Sequence, residues 1–159
     1  MWLSSTQLLD RIMCTDISVL GMHVVVSESA RDLGIVIERE LLLAAYATAV
    51  CRAGYNQLRH LRPVVRSLSI HATKMLVQAF TSYRLDYCNS LLYGITDGLL
   101  RRMQSVQNAA ARMVTGARRC DHIQPLLQKL HWLPIRQRVT FNVLGLMHWL
   151  YWSCAGVPR

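Results

Sequence analysis

Apolar and polar positions change their rhythm along this chain. Up to about residue 40 they form short β-branched runs broken by turns. Ile17 to Leu20 and His23 to Val26 flank Gly21, which predicts two strands around a turn. Ser27 to Ala30 is a polar break, and Leu33 to Ile37 is a third apolar run with Gly34 near its start. The expected object over residues 1–40 is a small antiparallel sheet or hairpin, too small to close a core alone.

From Leu41 the period becomes helical. Leu42, Tyr46, Ala49, Val50, Ala53 and Leu61 fall near one face of a helix, and Pro63 is expected to end it. Ser69 is suited to cap the next helix, where Leu76, Phe80, Tyr83, Tyr87 and Leu91 form an apolar stripe up to Gly94. Thr96 or Asp97 is expected to cap a third helix running through Val114, with Leu100, Met103, Val106, Ala110 and Met113 facing inward and Gly116 as its stop. Ala117 to His122 reads as a basic loop. A short helix is expected around Ile123 to Leu130, and a last one from Ile135 to Trp152 behind Pro134. The fold class is therefore mainly α: a small N-terminal antiparallel β element over 1–40, followed by an irregular helical bundle over 41–159.

Composition sharpens this. The chain has 159 residues, 52% of them hydrophobic and 17% charged. Such a chain can bury roughly two thirds of its extended surface and is no disordered tail. Its mean hydropathy, +0.21, implies an apolar face covered by other protein. The most apolar run, Val139 to Trp152, contains Asn142 and His148. It falls short of the ~20 residues that span a bilayer, so no membrane partner is expected. No signal peptide is visible in the first residues. The cysteines at 14, 51, 88, 120 and 154 are single and widely spaced, unlike a disulfide framework. An intracellular protein, nuclear or cytoplasmic and not secreted, is the expectation.

The net charge of +9 is unevenly placed. Residues 1–51 are mildly acidic, and nearly all the excess lies in 52–138, carried by arginine. Arginine suits bidentate phosphate contact and stacking on bases. A polyanion partner and a merely solvated basic surface are both compatible with that asymmetry. The candidate contacts are Arg52, Arg59, Arg62 and Arg66 on or after the first helix, Arg101, Arg102 and Arg112 on the third, Arg118 and Arg119 in the loop, and Arg136 and Arg138 opening the last. In a first helical turn Arg136 and Arg138 oppose the macrodipole. A bound phosphate would relieve this, and so would pairing with Asp121 or with solvent.

Catalytic sets are missing. Two-metal chemistry needs clustered carboxylates, and the nine here are dispersed, with Glu38 and Glu40 the nearest pair. Asp86 reads as a structural ion-pair partner of Arg84 or of a neighbouring helix. Cys120, His122 and His131 lack zinc-site spacing, and Cys88 sits mid-helix with no glycine-rich elbow. No phosphate-binding loop with a lysine occurs. No enzyme activity, metal, cofactor or small-molecule substrate is expected.

Eight segments, in order, resemble the reverse transcriptase region of LINE-type (non-LTR) retrotransposon polyproteins, in the jockey-like branch. They are MWL (1–3), ARDLGIVI (30–37), AVCRAGYNQLRHLRP (49–63), LVQAF (76–80), RLDYCNSLLYG (84–94), MQSVQNAAARMVTGARR (103–119), DHIQPLL (121–127) and LHWLPIRQRV (130–139). The resemblance implies that residues 1–40 are the last strands of a palm, with Leu33 and Gly34 in a hairpin like the primer grip, and that 41–159 is thumb-like. It implies contact with the RNA or DNA backbone of template and primer. It also implies that the catalytic palm motifs lie upstream of Met1, making the palm of the parent polyprotein a partner. Tyr46, Tyr83, Gln124 and Asn142 depart from the family's usual residues, and the tail fits loosely. The expected function is a non-catalytic fragment that binds template–primer without sequence preference. The alternative is a protein-interaction helical module or the inert product of a decayed element.

Overall fold

The computed structural model describes residues 16–19, 21–27, 29–32, 35–38 and 43–155. The chain is mainly α-helical, with small antiparallel β elements at its start. Its contacts separate two compact units, Met1–Thr48 and Ala49–Arg159.

Among its described residues the first unit holds two separate hairpins. Strand β1 (Asp16–Val19) pairs with β2 (Met22–Val25), Ile17 opposite Val24, across Gly21 at φ +83°. Both strands are exposed along their whole length. Strand β3 (Ser29–Asp32) pairs with β4 (Ile35–Glu38), Asp32 opposite Ile35. The strand at Ser29–Asp32 was not expected, because its first residues lie in the polar break. Backbone pairing to the apolar β4 supplies what side-chain pattern lacks there. Leu33 and Gly34, the residues implied in a primer grip, lie outside the described residues.

Helix α1 (Ala44–Val65) begins with an alanine-rich stretch of high helix propensity. Tyr46, Ala47, Val50, Leu58 and Leu61 are its buried apolar residues. The helix does not stop before Pro63 but carries it in its last turn. A proline there costs one hydrogen bond at the end of an established helix, where elongation is already favourable. The Ser67 hydroxyl then donates to the Val64 carbonyl (2.8 Å) just beyond the end.

Ser69 caps α2 (Ile70–Val77), its hydroxyl accepting the Ala72 amide at 3.3 Å. The expected stripe is the wrong face. Phe80, Tyr83, Tyr87 and Leu91 are exposed, while Thr73, Val77, Thr81, Leu85 and Leu92 are buried. The inward row from Thr73 to Leu85 recurs every fourth residue, longer than the α-helical repeat of 3.6. A π turn over Gln78–Ser82, closed by Tyr83 N–H to the Gln78 carbonyl, widens the coil and keeps that row pointing inward. Helix α3 (Tyr83–Asp86) follows. Cys88, left-handed at φ 51°, breaks the run before a 3₁₀ turn at Asn89–Leu92, and Gly94 at φ +83° turns the chain out.

Helix α4 (Asp97–Thr115) is central to the second unit, packing against α2, the π turn, α5 (Ile123–Leu130) and α6 (Ile135–Ala155). Met103, Val106, Gln107, Ala110, Ala111 and Val114 are its buried face. Gly116 ends it in the left-handed region. α5 closes with His131, also left-handed, while the Trp132 amide returns to the Leu127 carbonyl (2.9 Å). α6 buries Ile135 and Val139 and then exposes Phe141, Leu144, Leu146, Met147, Trp149 and Leu150. No described helix is long and apolar enough to cross a membrane.

Candidate nucleic-acid interface

The fold of the second unit sorts its arginines by what neutralises them. Both carboxylate oxygens of Asp86 accept from the Arg138 guanidinium at 2.7 Å, and the Arg138 side chain is only 14% exposed. The Asn89 amide donates to Asp86 (3.3 Å), and the Asn142 amide donates to Asn89 (2.7 Å). Arg136 pairs with Asp97 at the start of α4. Neither arginine engages Asp121. That carboxylate instead accepts the Arg118 amide at 2.6 Å and organises its own loop. Arg136 and Arg138 therefore meet carboxylates of the preceding helices, and the first-turn charge is answered within the fold.

Because Arg138 is largely buried and Asp86 is 39% exposed, their pair is worth more than a surface ion pair and less than a fully buried one. Asp86→Asn is expected to lower unfolding free energy by about 1–2 kcal/mol. In an Arg138→Met background the same change should cost clearly less, as read by a urea double-mutant cycle.

Four other arginines converge. On α1, Tyr55, Arg59 and Arg62 share one face at helical spacing, and on α4, Ser105, Ala109 and Arg112 repeat the same spacing. With Arg119 from the loop, these faces line a cleft of about 580 Å³. Tyr55 and Ser105 close a hydrogen bond across it at 2.8 Å. Leu58, Met113 and Ala117 supply apolar lining, and among the described residues no carboxylate lines it. Arg112 reaches the Asp121 carbonyl at 3.5 Å, while its Nε is buried without a hydrogen-bond partner.

The helices meet closely beside this cleft, because a Cβ on Gly54 would stand 2.6 Å from Val106 Cγ1. Cys51, half-buried one turn earlier, has its thiol pushed above the ordinary value by burial, against the opposing pull of Arg102.

Of the arginines expected from the sequence, Arg59, Arg62, Arg112 and Arg119 come together here. Arg52, Arg66, Arg101, Arg102 and Arg118 are exposed and do not line the cleft. Tyr55 and Ser105 were not anticipated, since an interhelical bond between residues 50 apart leaves no local signal. A second set was also missed. Gln104 Oε1 accepts the Ile135 amide (2.8 Å), and the buried Gln107 donates to the Leu133 carbonyl (2.8 Å). The Gln104 amide donates to Gln107 (2.9 Å) and Asn108 (2.8 Å). Among the described residues, no three of His, Cys, Asp and Glu gather into a group able to hold a metal ion.

Scanned against protein-family models and searched against curated proteins and solved structures, the chain matches none.

Proposed function

We propose that this chain is a non-catalytic portion of a LINE-type retrotransposon reverse transcriptase, whose helical unit holds template–primer nucleic acid by its phosphate backbone. The observation that carries this reading is the cleft between α1 and α4, where four arginines converge and no described carboxylate answers them. The carboxylates Asp86, Asp97 and Asp121 are spent elsewhere, so the positive charge of the cleft is left for a ligand. A phosphate oxygen would satisfy guanidinium donors with charge-assisted hydrogen bonds. Contacts from these guanidinium groups to phosphate oxygens carry no sequence information, which suits binding without sequence preference.

Within the helical unit, the segments that carry the resemblance pack on one another. RLDYCNSLLYG meets LHWLPIRQRV through Asp86 and Arg138, and MQSVQNAAARM meets it through Gln104 and Gln107.

The test is binding of an RNA–DNA hybrid by fluorescence anisotropy across a salt series. Affinity should fall steeply with salt, and Arg119→Gln should lower the logarithmic slope by about 0.9 if it contacts one phosphate. Sequence changes in the hybrid should matter little. Absence of binding at low salt, or a slope untouched by Arg59→Gln and Arg119→Gln alike, rejects the reading.

A second reading, a protein-interaction module, draws on one observation: the exposed apolar length of α6 from Phe141 to Trp152. In that reading the parent polyprotein's palm, or another protein, covers this surface, and association persists at high salt.

A further inference from the structure

We infer that the groove between α1 and the π turn binds an unpaired nucleotide by stacking it on Tyr83 and Phe80. The inference rests on the nucleic-acid reading above but concerns a different site. Phe80 is 49% exposed and Tyr83 is 72% exposed, three residues apart on one continuous helical run. Aromatic rings of this size normally enter a core. Here the inward places of the segment are filled by Thr73, Val77, Thr81 and Leu85, and the π turn keeps the aromatic pair on the outside.

The groove beside them has a volume of about 530 Å³. Its other wall is α1, through Gln57 and His60, and Arg84 completes the rim. Among the described residues, no carboxylate lines it. Aromatic faces with a cationic rim are the combination that single-strand binding uses: a ring stacks on the base, and a guanidinium or imidazole meets the phosphate. Gln57 offers an amide to a base edge without demanding a particular base.

Paired bases inside a duplex have both faces covered by their neighbours, so away from the duplex ends it is an unpaired base that presents one to Tyr83. An apolar peptide would bring the rings a partner but leave the basic rim unanswered.

The two sites flank one helix. Residues 55, 58, 59 and 62 of α1 line the arginine cleft, while 53, 56, 57 and 60 line this groove. At 3.6 residues per turn these sets lie on either side of the buried face. A nucleic acid that passes from duplex to single strand could engage both.

The experiment uses the full chain and two labelled probes, a short oligouridine and a blunt RNA–DNA hybrid. Tyr83→Ala should weaken oligouridine binding roughly 5- to 150-fold. Tyr83→Phe, which keeps the ring, should stay within about twofold, and Phe80→Ala should act as Tyr83→Ala does. Hybrid affinity and its salt slope should be unchanged by all three. Oligouridine binding that is indifferent to Tyr83→Ala and Phe80→Ala, with hybrid binding intact, overturns this inference alone. Equal loss on both probes overturns it too, since the rings then serve the general surface. Failure of the unaltered protein to bind either probe removes both this inference and the proposed function.

Discussion

Gly54→Val is expected to destabilise the helical unit by about 3 kcal/mol or more, a large share of the roughly 5–15 kcal/mol that holds a domain of this size. The first added carbon would already stand 2.6 Å from Val106 Cγ1. Val106 is fully buried, and a β-branched side chain in a helix has almost no other rotamer to adopt. The clash must therefore push α1 off α4. Against it stands the gain of about 1 kcal/mol from replacing a helical glycine with alanine. That gain can blunt Gly54→Ala, but valine has poorer helix propensity and two further carbons to place. The urea midpoint reads the effect, with Gly54→Ala falling between wild type and valine. The Tyr55–Ser105 bond spans the residues next to Gly54 and Val106, so hybrid binding should weaken together with stability. A valine variant as stable as wild type would mean that the two helices do not approach this closely.

Gln107→Leu should cost about 2–3 kcal/mol although it nearly conserves volume. Gln107 is 1% exposed, and its amide is the donor to the Leu133 carbonyl. Leucine removes that donor and leaves the carbonyl without it, a loss that extra apolar surface only partly offsets. The effect spreads by one step. Gln104 donates to Gln107 while its oxygen receives the Ile135 amide, one of the first amides of α6 that no helical carbonyl can satisfy. Loosening Gln104 exposes that amide. Faster hydrogen exchange at Ile135, alongside the lower urea midpoint, is the expected signature. An unchanged exchange rate there would place the two glutamines in separate roles.

How far this fold could be read in advance depended on where the deciding forces were local. Ser69 and Gly116 marked helix boundaries because capping and left-handed backbone are properties of single residues. The limits of the helix at Ile123–Leu130 followed from its own pattern. Pro63 misled, because its cost is set by position within the helix and not by its presence. The stripe from Leu76 to Leu91 misled more deeply. Hydrophobicity favoured the aromatics, yet the inward row includes Thr73 and Thr81, which no polarity pattern would place in a core. In the candidate site the arginines were visible as a charge excess. Which of them remain unneutralised was not visible, because Asp86 and Arg138 lie 52 residues apart in the chain and meet only in the fold.

The anchoring of α6 has a consequence for the gene that encodes it. Among the described residues, its hydrogen bonds to the rest of the unit end at Asn142, and the groove beside Ser90 reaches only to Leu146. A premature stop codon downstream of Leu146 would spare every one of these ties and delete mainly exposed apolar turns. One upstream of Leu133 would orphan both glutamines and Asp86 at once. Truncation within residues 147–153 is therefore expected to cost far less stability than truncation before Leu133.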